Sequence, residues 1–158
     1  MTLSFSTKFP WGEPTNFVAK IWNSLNQHYG EAISEEFYEY GADLYDIDRY
    51  LPKHHTLRED KTSRWKRGRK IHPVIHNRTP DRFQFAPTIK CISVQSIYIK
   101  PTFKDVTIHS EWHQPKDLNK SEIDLLASND GFDSTEDFWR WFDKDFVGKI
   151  IHWTDLKY

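Results

Sequence analysis

Lys53-His54-His55-Thr56-Leu57-Arg58-Glu59-Asp60-Lys61-Thr62 is the stretch on which the reading of this chain turns. Within seven positions it gathers a lysine, a threonine, an arginine and a carboxylate. In an extended segment side chains alternate between faces. Thr56, Arg58 and Asp60 then share one face, and Lys53 reaches in over the preceding turn. That is the pattern of an edge that holds an anion or carries a nucleophile. Directly downstream lie Arg64, Lys66, Arg67, Arg69 and Lys70, with Trp65 among them. Cations interleaved with an aromatic suit a phosphodiester backbone and a stacked base. The bland alternative is a tryptophan packed inward beneath solvated charges, and the sequence leaves both open.

Working outward, the charge is strongly partitioned. From Arg49 to Arg82 there are 11 Lys/Arg against 3 Asp/Glu, a balance of +8; the remainder holds 11 against 20, a balance of −9, and together they give the net −1. His54, His55, His72 and His76 join the basic stretch. Such asymmetry makes a directed field and points to a polyanion or a nucleotide as partner, the bland alternative being a solvated basic face paired with the acidic remainder. At 158 residues the chain is read as a single domain, 1–158. One cysteine, Cys91, leaves no internal disulfide and no multi-cysteine zinc site, and fits a reducing, cytoplasmic setting. No apolar run approaches a membrane span, and no leader pattern opens the chain. The histidines at i, i+4 (His72/His76, His109/His113) lack a third ligand at zinc spacing, so neither metal nor organic cofactor is indicated.

The coarse pattern is strand, helix, a run of strands, two helices, strand. Thr2–Phe9 alternates as a strand. Asn16–Gln27 repeats Phe17, Ile21 and Leu25 at helical spacing, with Thr15 as N-cap and Gly30 as stop. An acidic, tyrosine-rich stretch at about 30–50 is an insertion, helical around Ser34–Tyr40 or looped, and offers a surface for a protein partner. Ile71–Asn77 reads as an edge strand because Pro73 cannot donate to a central ladder. Thr88–Lys100 reads as one long strand. Lys104–Trp112 alternates, with Val106, Ile108 and Trp112 on one face. Asn119 and Glu122 form a capping box stapled by Leu118 and Ile123. Asp130-Gly131 is a turn. A second helix opens near Asp133/Ser134 and carries Phe138, Trp139, Trp141 and Phe142 as core residues; Gly148 ends it, and Lys149–Asp155 is a last strand. Helices set apart from a run of strands give an α+β fold with a small mixed β-barrel or curved sheet.

Lys53-x-x-Thr56-x-Arg58, then Trp65-x-x-Gly68 ahead of a strand, resembles the ASCH domain, a small PUA-like barrel. Asp130-Gly131-Phe132, Ser134–Phe142 and Lys149–Trp153 look like the second half of that domain, so the likeness runs in order over nearly the whole chain. The resemblance implies RNA, nucleotide or modified-nucleoside binding in a basic cleft, with Arg58, Arg64, Trp65, Lys66, Arg67 and His55 as ligand contacts. One branch of the family is similar to amidohydrolases that deacetylate an acetylated cytidine nucleoside, and another is associated with RNA cleavage. Carried over, the Lys/Thr/acid catalytic set of that branch falls on Lys53, Thr56 and Asp130. The acid here is aspartate, one methylene shorter than the family's glutamate.

A threonine hydroxyl becomes a nucleophile only beside a base. Lysine serves as that base when burial or neighbouring cations lower its pKa. Arg58 then steadies developing negative charge.

Overall fold

The computed structural model describes residues 1–110 and 113–158. The strands divide between two sheets. The first is built on β3 (Lys70–Ile75), which takes β1 (Thr2–Ser4) in parallel on one side and the short strands β4 (Phe83–Gln84) and β5 (Ile89–Lys90) in antiparallel on the other. The second runs in the order β2 (His55–Arg58), β9 (Phe146–His152), β6 (Ser93–Lys100), β7 (Asp105–Ser110), β8 (His113–Asp117), all antiparallel. Helices α1 (Phe17–Tyr29), α2 (Ser34–Glu39), α3 (Lys120–Asn129) and α4 (Thr135–Trp141) complete a mixed α+β fold. Among the described residues no strand pairing joins the two sheets into a closed barrel.

β3 is not the edge strand that Pro73 suggested. Pro73 sits opposite Leu3 of β1, and β3 is paired on both sides. The proline is tolerated because its neighbours on the far side change there: β5 covers Lys70 and Ile71, β4 covers Val74 and Ile75. Its missing N–H falls in the gap between them. The long strand foreseen over Thr88–Lys100 is two strands, β5 and β6, one in each sheet. Gly148, foreseen as the stop of α4, lies inside β9. A Cβ there would stand 2.6 Å from the Arg58 carbonyl, so the glycine lets β2 and β9 approach. Trp112 lies outside the described residues.

α1 buries its stripe against both sheets. Trp22, fully buried, donates its indole N–H to the Phe85 carbonyl at 2.9 Å. Phe5 meets Phe85 and Trp153 edge-on. A second aromatic group, Phe9, Phe17, Phe132, Phe138 and Phe142, packs α4 against the start of α1. The 30–50 insertion is α2 with short 3₁₀ turns, and its Phe37 and Tyr40 pack on Trp22. Asn119 accepts from the Glu122 N–H at 3.0 Å while the Glu122 carboxylate accepts from the Asn119 N–H at 2.9 Å, the capping box read from the sequence.

α3 ends in a Schellman turn. Gly131 adopts φ +89°, its N–H donates to Ser128 and that of Phe132 to Ala127. This turn positions the groups that matter most.

Candidate functional site

The turn at the end of α3 presents carbonyls and carboxylates to two lysines. Lys53 donates to the Asp130 carbonyl and, at 2.6 Å, to Asp130 Oδ1. Lys20, from the buried stripe of α1, donates to the Gly131 carbonyl at 2.8 Å and to Asp133 Oδ1 at 2.7 Å. Cations at a helix C-terminus meet the negative end of its dipole. The lead-in to β2 is fixed by backbone bonds from Lys53 N–H to Lys20 and from His54 N–H to Asn129. Lys53 is 1% exposed and Asp130 4%, so the pair is sealed from bulk water. Aspartate, despite its shorter reach, makes the contact directly.

His55 lies on the same cluster, fully buried, with Nδ1 3.6 Å from Asp130 Oδ1. Its Nε2 is 2.7 Å from the Tyr158 hydroxyl, which accepts from Asn129 Nδ2 at 2.9 Å. The direction of the His55 Nε2–Tyr158 contact follows the His55 tautomer, because the phenol oxygen can both donate and accept. A chain of polar groups thus runs from Tyr158 through His55 to Asp130 and Lys53.

Burial, reinforced by the charges of Arg58 and Lys20, outweighs Asp130 and brings the Lys53 ammonium down to about 8. Burial acts to raise the Asp130 carboxyl, but Lys53 and His55 overcome it and hold it below its ordinary value. His55 is lowered by burial against the pull of Asp130. His152, opposite His55 in the ladder, is pushed down to about 2 by burial and by the positive charges that His55 and Lys157 carry when protonated. A cluster of shifted groups is a common mark of a functional site.

Thr56 is 2% exposed and sits opposite Ile151. Strand alternation turns it to the face of β2 away from His55. Among the described residues its hydroxyl hydrogen-bonds to neither Lys53 nor Asp130. Lys53 and Asp130 are therefore brought together, and Thr56 is not joined to them. Arg58 donates to the Ser4 carbonyl at 2.7 Å and lies 5.5 Å from the Phe5 ring, tying the two sheets. Asp60 leaves the face expected for it. Its carboxylate accepts from the N–H groups of Arg64 and Trp65 at 2.9 and 2.8 Å and shapes the basic loop from within.

That loop turns Trp65 inward. The indole is 6% exposed and belongs to the core, so it does not offer a stacking face to a ligand. Arg64, Lys66 and Arg67 point outward. Gly68 (φ +83°) makes the turn, held by its N–H to the Cys91 carbonyl. Lys66, Arg67, Arg69, Lys70 and His72 line one open depression of about 570 Å³. A second depression, about 500 Å³, lies on the insertion between Phe37, Tyr38 and Tyr45 and the carboxylates Asp43, Asp46 and Asp48.

Sequence reasoning missed Lys20, Asn129, Tyr158, Gln95 and His152. Lys20 had a signal: it falls on the apolar stripe of α1, three residues from Phe17. The others join the cluster through long-range pairing that no local pattern announces.

Comparison of the chain with protein-family models, with curated proteins and with solved structures returns no match in any of the three. Among the described residues no group of three His, Cys, Asp or Glu side chains is placed to hold a metal ion. No helix among them is long and apolar enough to cross a membrane.

Proposed function

We propose that this chain binds a polyanionic ligand, an RNA or a nucleotide, through the basic depression formed by Lys66–Lys70 and His72, on a scaffold like the PUA-like barrel of ASCH domains. One observation carries the reading: Lys66, Arg67, Arg69 and Lys70 converge on the same open depression instead of dispersing over the surface. Converging cations release counterions from a phosphate backbone and steer it in from a distance. With Trp65 packed inward, the reading rests on phosphate contacts and not on base stacking. The test is fluorescence anisotropy with a short labelled RNA, comparing wild type with Lys66→Ala/Arg67→Ala/Lys70→Ala. The triple variant is expected to bind at least tenfold more weakly with an unchanged melting temperature. Equal affinity would remove the depression as the binding surface.

A second reading, hydrolysis of an acylated nucleoside or of RNA, is favoured by the sealed Lys53–Asp130 pair. An amine brought down to about 8 is roughly one-tenth deprotonated at pH 7 and half deprotonated at pH 8, enough to act as a general base once Thr56 turns its hydroxyl towards it. Arg58 supports the resulting negative charge, and Asp130 orients Lys53. Turnover of N-acetylcytidine that survives Thr56→Ala would end the covalent version of this reading; Thr56→Ser is expected to keep part of the rate.

A further inference from the structure

Tyr158 is held like a ligand. Its ring stands edge-on to His55 at 5.5 Å and 80° and lies 6.2 Å from His152. Its hydroxyl is gripped by His55 and Asn129, at 2.7 and 2.9 Å. Its own peptide groups are read by one side-chain amide: Gln95 Nε2 donates to the Tyr158 carbonyl at 2.9 Å, and Gln95 Oε1 accepts from the Tyr158 N–H at 3.2 Å. A primary amide presenting donor and acceptor side by side matches the edge of a planar heterocycle as well as it matches a peptide.

The pairing register explains why these groups converge. His55 faces His152 across β2 and β9, and His152 faces Ser93 across β9 and β6. Gln95, two residues from Ser93, lies on the same face. That face has hydrogen-bonding capacity Tyr158 does not use. Both ring nitrogens of His152, the Ser93 hydroxyl and the nearby Thr154 hydroxyl are buried without a partner among the described residues. Buried polar groups in folded proteins are nearly always satisfied. These groups leave hydrogen bonds open to a ligand with more polar atoms than a phenol.

Ahead of Tyr158 the segment is lightly held. After the bend at 153–155 the chain has no regular structure, and among the described residues every hydrogen bond of 155–158 is made by Tyr158. Trp153, fully buried, anchors the chain before it.

We propose that residues 155–158 are a built-in plug: Tyr158 fills, and must vacate, a site beside Asp130 that receives a planar heteroaromatic ring bearing an adjacent hydrogen-bond donor and acceptor. This deepens the second reading above, because the vacated site borders Asp130 and Lys53 and opens a route to groups that are otherwise sealed. Departure of Tyr158 also frees His55 Nε2 to meet the ligand.

The test titrates cytidine, uridine, adenosine and guanosine, which carry no phosphate and so draw nothing from the basic depression, into wild type, Tyr158→Ala and Tyr158→Phe by calorimetry. Circular dichroism checks that each variant is folded. Tyr158→Ala is expected to bind at least one nucleoside about tenfold tighter than wild type, with Tyr158→Phe in between. In wild type at millimolar nucleoside, exchange of the Tyr158 amide proton is expected to quicken. A folded Tyr158→Ala with no gain overturns the proposal. So does unchanged Tyr158 exchange in wild type, which decides the matter if the alanine variant does not fold. Equal RNA affinity in wild type and the basic-depression variant, with the nucleoside gain intact, would leave the plug standing alone; loss of RNA binding in that variant, with no nucleoside gain in Tyr158→Ala, would leave only the polyanion surface.

Discussion

At the scale of single residues, the Lys53–Asp130 pair sets the balance between stability and reactivity. Removing one partner leaves the other charge buried and alone. Lys53→Met is expected to lose about 3–5 kcal/mol of folding free energy in urea titration. A loss under about 1 kcal/mol would mean that water reaches Asp130. The pH dependence follows from the shifts. Unfolded lysine titrates near 10.5 and Lys53 near 8 in the fold, so between those values the unfolded chain holds the extra proton. Stability contributed by this group therefore rises with pH from 8 towards 10, and Lys53→Met should abolish that rise. His152 and His55 act at the other end. Their folded values lie below 6.5, so the unfolded state binds the protons as pH falls. His152 is expected to remove about 1.4 kcal/mol of stability per pH unit below about pH 6, and His55 to add to the loss in the same direction. Urea midpoints at pH 7, 6 and 5 measure this, and a His152→Phe variant with the wild-type slope would refute the assignment of His152.

At the scale of elements, the end of α3 is the part that places the site. Gly131 stands at φ +89°, and a Cβ there would lie 3.0 Å from Lys53 Cδ and 3.1 Å from the Phe17 ring. Gly131→Ala is expected to lose about 1–3 kcal/mol and to displace Lys53 as well. Asn119→Ala, at the far end of the same helix, should lose about 1 kcal/mol and leave the Lys53 titration untouched. Parallel melting and Lys53 titration of the two variants separate a site effect from a helix effect; equal shifts of Lys53 in both would contradict it. The sequence made both ends of this helix legible, since Asn119-x-x-Glu122 and Asp130-Gly131 carry their own local chemistry. It misplaced β3 because the rule against proline in a central ladder takes no account of two short strands meeting end to end at Pro73. It merged β5 with β6 because an apolar, β-branched run does not say where a chain changes sheets.

At the scale of the whole molecule, the partition of charge seen in the sequence becomes two surfaces. Basic side chains surround the depression at Lys66–His72, and carboxylates Asp43, Asp46 and Asp48 line the one on the insertion. The candidate site was half legible. Lys53 and Asp130 lie 77 positions apart in sequence and still meet as expected, whereas Trp65 turned inward because Asp60 captures the two N–H groups that set the loop. Tyr158 and His152 could not be read at all, since His152 meets His55 only through the β2–β9 register and Tyr158 joins the cluster only through long-range bonds to His55, Asn129 and Gln95. If the basic depression binds a phosphate backbone, RNA affinity must fall steeply with salt. Four cations engaging single-stranded phosphates predict a plot of log affinity against log salt with a slope of about −3. The Lys66→Ala/Arg67→Ala/Lys70→Ala variant should flatten that slope to about −1. A wild-type affinity independent of salt between about 50 and 200 mM would contradict the claim.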